Sequence, residues 1–355
     1  MINDLLFRQL FDQSSGTWTY LLADIDSRQS LLIDPVYEQF ERDRALIQEL
    51  ELKLLACVDT HCHADHVTGA WLLKHSLGSK IFASEHSGIA GLDSKLGDGD
   101  TIHFGKNMLR VLATPGHTNG CISLVLAEQK MVFTGDSLLI RGCGRTDFQQ
   151  GSAHNLFNSI TSKLFTLPDD FVVYPGHDYV GRTASSIGEE KHLNPRIGGA
   201  ANEGDFVGYM ENMKLPHPKQ LAIAVPANLQ AGRPSDDRLP KQPGWAPVVT
   251  TYSGVLEISP QWVAAHLDQV YVLDVRTRVE IDEESTRIKG AVMIPVNELR
   301  ERISEVPADK PVMTLCRSGK RSTLAFTILR SAGRTQVASI KGGLLRWQEE
   351  GLPVA

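Results

Sequence analysis

At 355 residues the chain is too long for one ordinary domain and suits two. Hydrophobic residues make up 42% and charged residues 22%, which excludes a disordered chain. A net charge of −6 with no basic stripe argues against nucleic acid as a partner, and no apolar run approaches the ~20 residues needed to cross a bilayer. Met1 to Gln13 holds no signal-peptide core, and five scattered cysteines make no disulfide framework, so a reducing cytoplasm is expected.

Thr17 to Leu22 and Ser30 to Ile33 read as strands, separated by the turn Asp26-Ser27-Arg28-Gln29. Asp34-Pro35 ends the second, and Phe40 to Leu50 has helical spacing with its charges outward. The apolar run Leu54 to Val58 then reads as a buried strand leading into Thr60-His61-Cys62-His63-Ala64-Asp65-His66-Val67-Thr68-Gly69. A helix is expected over Gly69 to Leu77. Strands follow at Ile81 to Ala83, Met108 to Ala113, Ile122 to Leu126, Met131 to Thr134 and Phe171 to Tyr174.

Four of these strands run into a turn that carries a metal-type ligand: the His61 loop, His117, Asp136 and His177. One histidine or aspartate after a strand is usually a turn residue, but four in one domain are not. Glycine or proline beside His117, Asp136 and His177 lets the backbone turn sharply and aim the side chain inward. These residues predict a metal site at the carboxyl ends of core strands.

The set His61-x-His63-x-Asp65-His66, Pro115-Gly116-His117, Gly135-Asp136 and Gly176-His177-Asp178 resembles the metallo-β-lactamase superfamily. That resemblance covers residues 1 to about 232 and implies an αββα sandwich with the metal at one edge. Within the superfamily, Leu139 to Gly151, Gly176-His177-Asp178-Tyr179 and Leu193-Asn194-Pro195-Arg196 resemble the persulfide dioxygenases. Residue types alone also allow a two-metal hydrolase, since His61, His63, His117, Asp136, Asp65, His66 and His177 are all present. The resemblance implies one Fe(2+) per chain on His61, His117 and Asp136, with open positions for oxygen and substrate. His63, Asp65, His66 and His177 would then orient the ligands. The implied substrate is glutathione persulfide, converted with O2 to glutathione and sulfite. Arg141, Arg145, Arg196 and Tyr179 are the candidates to bind it. Cys62 alternates with the ligands and is expected to point away, and Cys143 to pack near the site.

Residues 233–250, rich in proline and glycine, read as a linker. Beyond it, alternating helices and strands predict a small α/β domain with a parallel sheet over 251–355. A helix is expected from Ser259-Pro260 through Leu267, with strands at Val270 to Val275, within Ile288 to Pro295, and at Val312 to Leu315. The last strand delivers Cys316-Arg317-Ser318-Gly319-Lys320-Arg321-Ser322 to a helix over Thr323 to Leu329. Unpaired N–H groups and the helix dipole there stabilise a thiolate and bind anions, so Cys316, Arg317 and Arg321 are the candidate catalytic set. This stretch, from Asp274-Val275-Arg276 to Gly342-Gly343, resembles a single rhodanese domain. A cysteine phosphatase would carry five residues between cysteine and arginine, where this loop carries four.

The whole chain thus resembles a persulfide dioxygenase–rhodanese fusion, with thiosulfate and glutathione exchanging sulfur at Cys316. The alternative is a glyoxalase II-like dizinc thioester hydrolase with an appended docking or sulfur-sensing module. A homo-oligomer is compatible with the sequence, which does not specify one.

Overall fold

The computed structural model describes residues 4–241, 243–284 and 286–355. Two compact units divide at Leu239/Pro240.

The first unit is built on two six-stranded sheets. One holds β1 (Leu5–Asp12), β2 (Thr17–Asp24), β3 (Gln29–Ile33), β4 (Lys53–Val58), β5 (Lys80–Ser84) and β6 (Ser94–Leu96) in chain order. Its first three strands pair antiparallel and the rest parallel. The other holds β7 (Thr101–Phe104), β8 (Asn107–Ala113), β9 (Ile122–Leu126), β10 (Met131–Gly135), β11 (Val172–Pro175) and β12 (Ser185–Ser186). Only β10 and β11 run parallel there.

Every residue of β2 is buried, because both faces of that strand are covered. Its side chains alternate between two cores. Tyr20 and Leu22 meet Phe104 and Phe133 between the sheets. Leu21 faces the other way, with Leu32, toward α1 (Phe40–Glu49) and α2 (Ala70–Leu77). On the far side, Val132 and Val173 pack under α3 (Ala153–Ser162), α4 (Ile187–Leu193) and α5 (Glu203–Glu211), through Leu156, Ile160, Ile187 and Phe206. A further helix, α6 (Leu221–Asn228), completes the unit. The four layers are the expected αββα sandwich.

The second unit has the sheet order β13-β14-β18-β17-β15-β16. Its strands are β13 (Val249–Thr250), β14 (Leu256–Ile258), β15 (Tyr271–Asp274), β16 (Val292–Met293), β17 (Val312–Leu315) and β18 (Val337–Ile340). All pairs are parallel except β13 with β14, so the expected parallel sheet carries one antiparallel edge. Helices α7 (Pro260–Ala265), α8 (Arg278–Glu284), α9 (Lys320–Ser331) and α10 (Gly343–Glu349) accompany it. Trp347 is fully buried in its core.

The segment 233–250 is not all linker. Ala246 and Val248 are buried in the second unit's core with Trp245 against them, and Val249–Thr250 forms a strand. Proline and glycine there punctuate a chain that still has apolar surface to bury. Among the described residues, no helix is long and apolar enough to cross a membrane.

Candidate metal centre and cysteine loop

The turn after β4 is fixed from both ends before any histidine is placed. Asp34, at the end of β3, accepts from the Thr60 N–H at 2.7 Å and from its hydroxyl at 2.8 Å. On the other side Asn228, fully buried in α6, donates to the carbonyls of His63 (2.9 Å) and His66 (2.8 Å). It also accepts from the Thr68 N–H at 2.8 Å. Gly135 closes the strand opposite at φ +50, and a Cβ there would lie 2.6 Å from the Thr60 hydroxyl.

Partners then fix the ring edges. Because the Thr60 hydroxyl donates to Asp34, it accepts from His61 Nδ1 at 3.0 Å, which leaves His61 Nε2 free. His117 Nδ1 donates to the Arg145 carbonyl at 2.6 Å, leaving its Nε2 at 3.7 Å from Asp136 Oδ2. Gly144 permits this packing, since a Cβ on it would sit 2.8 Å from the His117 ring. Ligand-type atoms of His61, His117 and Asp136 all lie within 4.8 Å of one another.

Charge follows the geometry. Burial, then the charge of His63, pushes the pKa of His61 well below its ordinary value, so the ring is neutral with a lone pair to offer. Burial opposes ionisation of Asp136, but His177, His117 and His61 together outweigh it, and Asp136 stays a carboxylate.

His177 donates from both ring nitrogens, Nδ1 to Asp136 at 2.6 Å and Nε2 to Asp65 at 2.8 Å. Burial disfavours its charge, yet those two carboxylates hold its pKa well above the usual histidine range. Thr17, at the start of β2, lies 3.0 Å from His177 Nε2 and 3.2 Å from His66 Nδ1. His66 Nδ1 donates to Asp65 at 2.8 Å, and His63 Nε2 to Asp34 at 3.1 Å. The other nitrogens of these two rings, His63 Nδ1 and His66 Nε2, are buried without a partner. A second ligand-type group, His63, Asp65 and His66, therefore stands beside the first. Imidazole and carboxylate donors of this kind suit iron(II) or zinc.

A cavity of about 300 Å³ opens on the site, lined in part by His117, Asp136, His177 and Cys143. Of the substrate candidates lining it, Arg141 is tied to Glu190 and Ser185, and Arg145 to Asp147 and the Leu215 and Pro216 carbonyls. Those guanidinium groups hold the 141–151 loop. Arg196 donates to the Cys143 carbonyl at 2.6 Å and lies over Tyr209. Tyr179 is 73% exposed and stacks on the His177 ring at 5.9 Å. Cys62 is buried in the helix-side core, turned from the ligands, and Cys143 packs against Met210 at 3.7 Å.

Asp34, Thr17, Thr60 and Asn228 were not singled out from the sequence. Asp34-Pro35 reads only as a strand end, because Asp34 lies 26 residues before Thr60 and only the pairing of β3 with β4 brings them together. Asn228 carries no local one.

In the second unit Cys316 is buried at the end of β17, and the Ser322 N–H points at its Sγ from 3.4 Å. Gly319, at φ +89, starts α9 three residues earlier than the spacing predicts, so Lys320 and Arg321 already belong to its first turn. Arg321 forms a two-pronged pair with Glu280 of α8 at 2.5 and 2.6 Å. Arg317 Nε lies 3.3 Å from Glu284.

The family model described as "Metallo-beta-lactamase superfamily" matches residues 14–177, and "Rhodanese-like domain" matches 259–350. The "Persulfide dioxygenase ETHE1, mitochondrial" of Mus musculus is 52% identical over 229 residues, 64% of this chain and 89% of that one. The chain belongs to the persulfide dioxygenase family of the metallo-β-lactamase superfamily. The crystal structure of ETHE1 from Myxococcus xanthus, 49% identical, superposes with a TM-score of 0.62 over 64% of this chain and 99% of its own. Outside the family, "Hydroxyacylglutathione hydrolase GloC" of Haemophilus influenzae is 35% identical over 191 residues, 48% of this chain and 88% of that one.

Proposed function

We propose that the first unit oxidises glutathione persulfide with O2 to sulfite and glutathione, using one iron(II) held by His61, His117 and Asp136. The observation that carries this reading is His177. Its Nδ1 meets Asp136 at 2.6 Å and its Nε2 meets Asp65 at 2.8 Å, an arrangement that supports an orienting role for it beside the His61, His117 and Asp136 group. Its imidazolium fixes one oxygen of Asp136 and leaves the other toward His117. Bound iron would supply the redox chemistry with O2 that no side chain can. The protein's part is to turn the free Nε2 of His61 toward the site through the Thr60–Asp34 relay, to aim His117 through the Arg145 carbonyl, and to wall the site with the 141–151 loop. Arg196 and Tyr179 are the groups at the cavity proposed to meet the glutathione carboxylates. The names of the relatives support the activity.

The second unit is proposed to move sulfane sulfur between thiosulfate and glutathione. Cys316 thiolate attacks the outer sulfur of thiosulfate, the S–S bond breaks, and sulfite leaves with the electron pair. Glutathione then takes the sulfur as glutathione persulfide, the substrate of the first unit. All five cysteines are free and buried, which supports a reducing compartment such as the cytoplasm.

A dizinc thioester hydrolase is the second reading, favoured by the His63, Asp65 and His66 group with its two unpartnered nitrogens. An oxygen electrode separates the two. Iron-loaded protein given glutathione persulfide should consume one O2 for each sulfite formed, and an absence of uptake would refute the dioxygenase reading.

A further inference from the structure

The two arginines of the Cys316 loop are not left open. Glu280 accepts the Thr277 N–H at 3.0 Å and its hydroxyl at 2.8 Å, and so is held in place before it meets Arg321. It then takes both guanidinium prongs of Arg321. Glu284, one helical turn on, lies beside Arg317 and also binds the fully buried Arg276 at 2.6 Å. Both arginines of the loop thus face a carboxylate from α8. Arg321 holds Glu280 ionised, with its pKa down at about 2, so the cancellation persists through the physiological range.

We infer that Glu280 and Glu284 set the substrate preference of the loop by cancelling its arginine charges. The inference rests on the sulfurtransferase reading of Cys316. Thiosulfate and sulfite bring all their charge to the reacting sulfur, and a loop whose arginines are compensated holds them more weakly than one whose arginines are open. Glutathione persulfide brings only the single charge of its perthiolate to that sulfur, and its carboxylates lie several bonds away, so the same compensation costs it less. Glu280 acts through Arg321 and is a positioning residue. A unit charge a few ångströms from a dianion, screened by water, changes binding roughly three- to tenfold.

The test uses the full-length chain under argon, so that no persulfide is oxidised elsewhere. The Cys316 persulfide is followed by intact mass, with thiosulfate or glutathione persulfide as donor. Glu280→Gln should lower the thiosulfate KM roughly three- to tenfold and move the glutathione persulfide KM less than twofold. Equal shifts for both donors, or a thiosulfate KM that stays or rises, would overturn the inference. In case the variant folds poorly, the unaltered protein provides a second reading. Its thiosulfate KM should change less than about twofold between low and physiological salt, where uncompensated arginines would give a steep rise. Absence of any Cys316 persulfide with either donor overturns instead the sulfurtransferase reading beneath it.

Discussion

Asn228 ties the metal loop to α6, and removing its side chain should damage the first unit far more than a surface position would. Asn228→Ala deletes three hydrogen bonds at once, to the His63 and His66 carbonyls and from the Thr68 N–H. The site is fully buried, so each group left behind loses its partner in a dry environment. An unsatisfied buried group costs about 1–3 kcal/mol, and partial entry of water holds the total to about 3 kcal/mol. For a unit of this size that corresponds to a fall of about 6–12 °C in Tm. Calorimetry of the full chain should show the first unit's transition moving down while the second stays in place. Metal content should fall too, because the turn that carries the ligand His61 loses its anchors at His63 and His66. An Asn228→Ala protein that melts within about a degree of the unaltered one and keeps its metal would refute the latch.

Asp136→Asn should abolish O2 uptake and strip iron, since a neutral amide is a poor ligand for a divalent cation, whereas His177→Ala should retain iron by mass spectrometry. Equal metal loss in both would place His177 among the ligands. Cys316→Ser should eliminate sulfur transfer from thiosulfate to glutathione but spare oxidation of supplied glutathione persulfide; retained thiosulfate activity would put the sulfur carrier elsewhere. With thiosulfate, glutathione and O2 together, the intact chain should accumulate sulfite beyond one equivalent per thiosulfate consumed, and uptake that persists undiminished in Cys316→Ser would refute operation in series.

Where strands end in ligands, the sequence is legible because short apolar runs and glycine turns are local signals. Hence β4 with its histidine loop, β10 with Asp136, and β17 with Cys316 are read within a residue or two. The edge strand β1 is not, since Leu5-Leu6-Phe7 and Leu10-Phe11 break the alternation and fit a helix as well. The groups that act on the site from a distance are also hidden. Asn228 reaches His63 across 165 residues and Thr17 reaches His177 across 160, and only the closed sandwich brings them together. The arginines show a different limit. A sequence reveals Arg141 and Arg321 as cations near a site, but their engagement with Glu190 and Glu280 depends on tertiary packing.

The proposed dioxygenase chemistry depends on a single iron held by His61, His117 and Asp136. Metal-free protein titrated anaerobically with iron(II), then assayed for O2 uptake with glutathione persulfide, tests it most directly. Activity should rise linearly and break at one iron per chain, with zinc giving none. A break at two metals per chain, or thioester hydrolysis supported by zinc in place of O2 uptake, would contradict it.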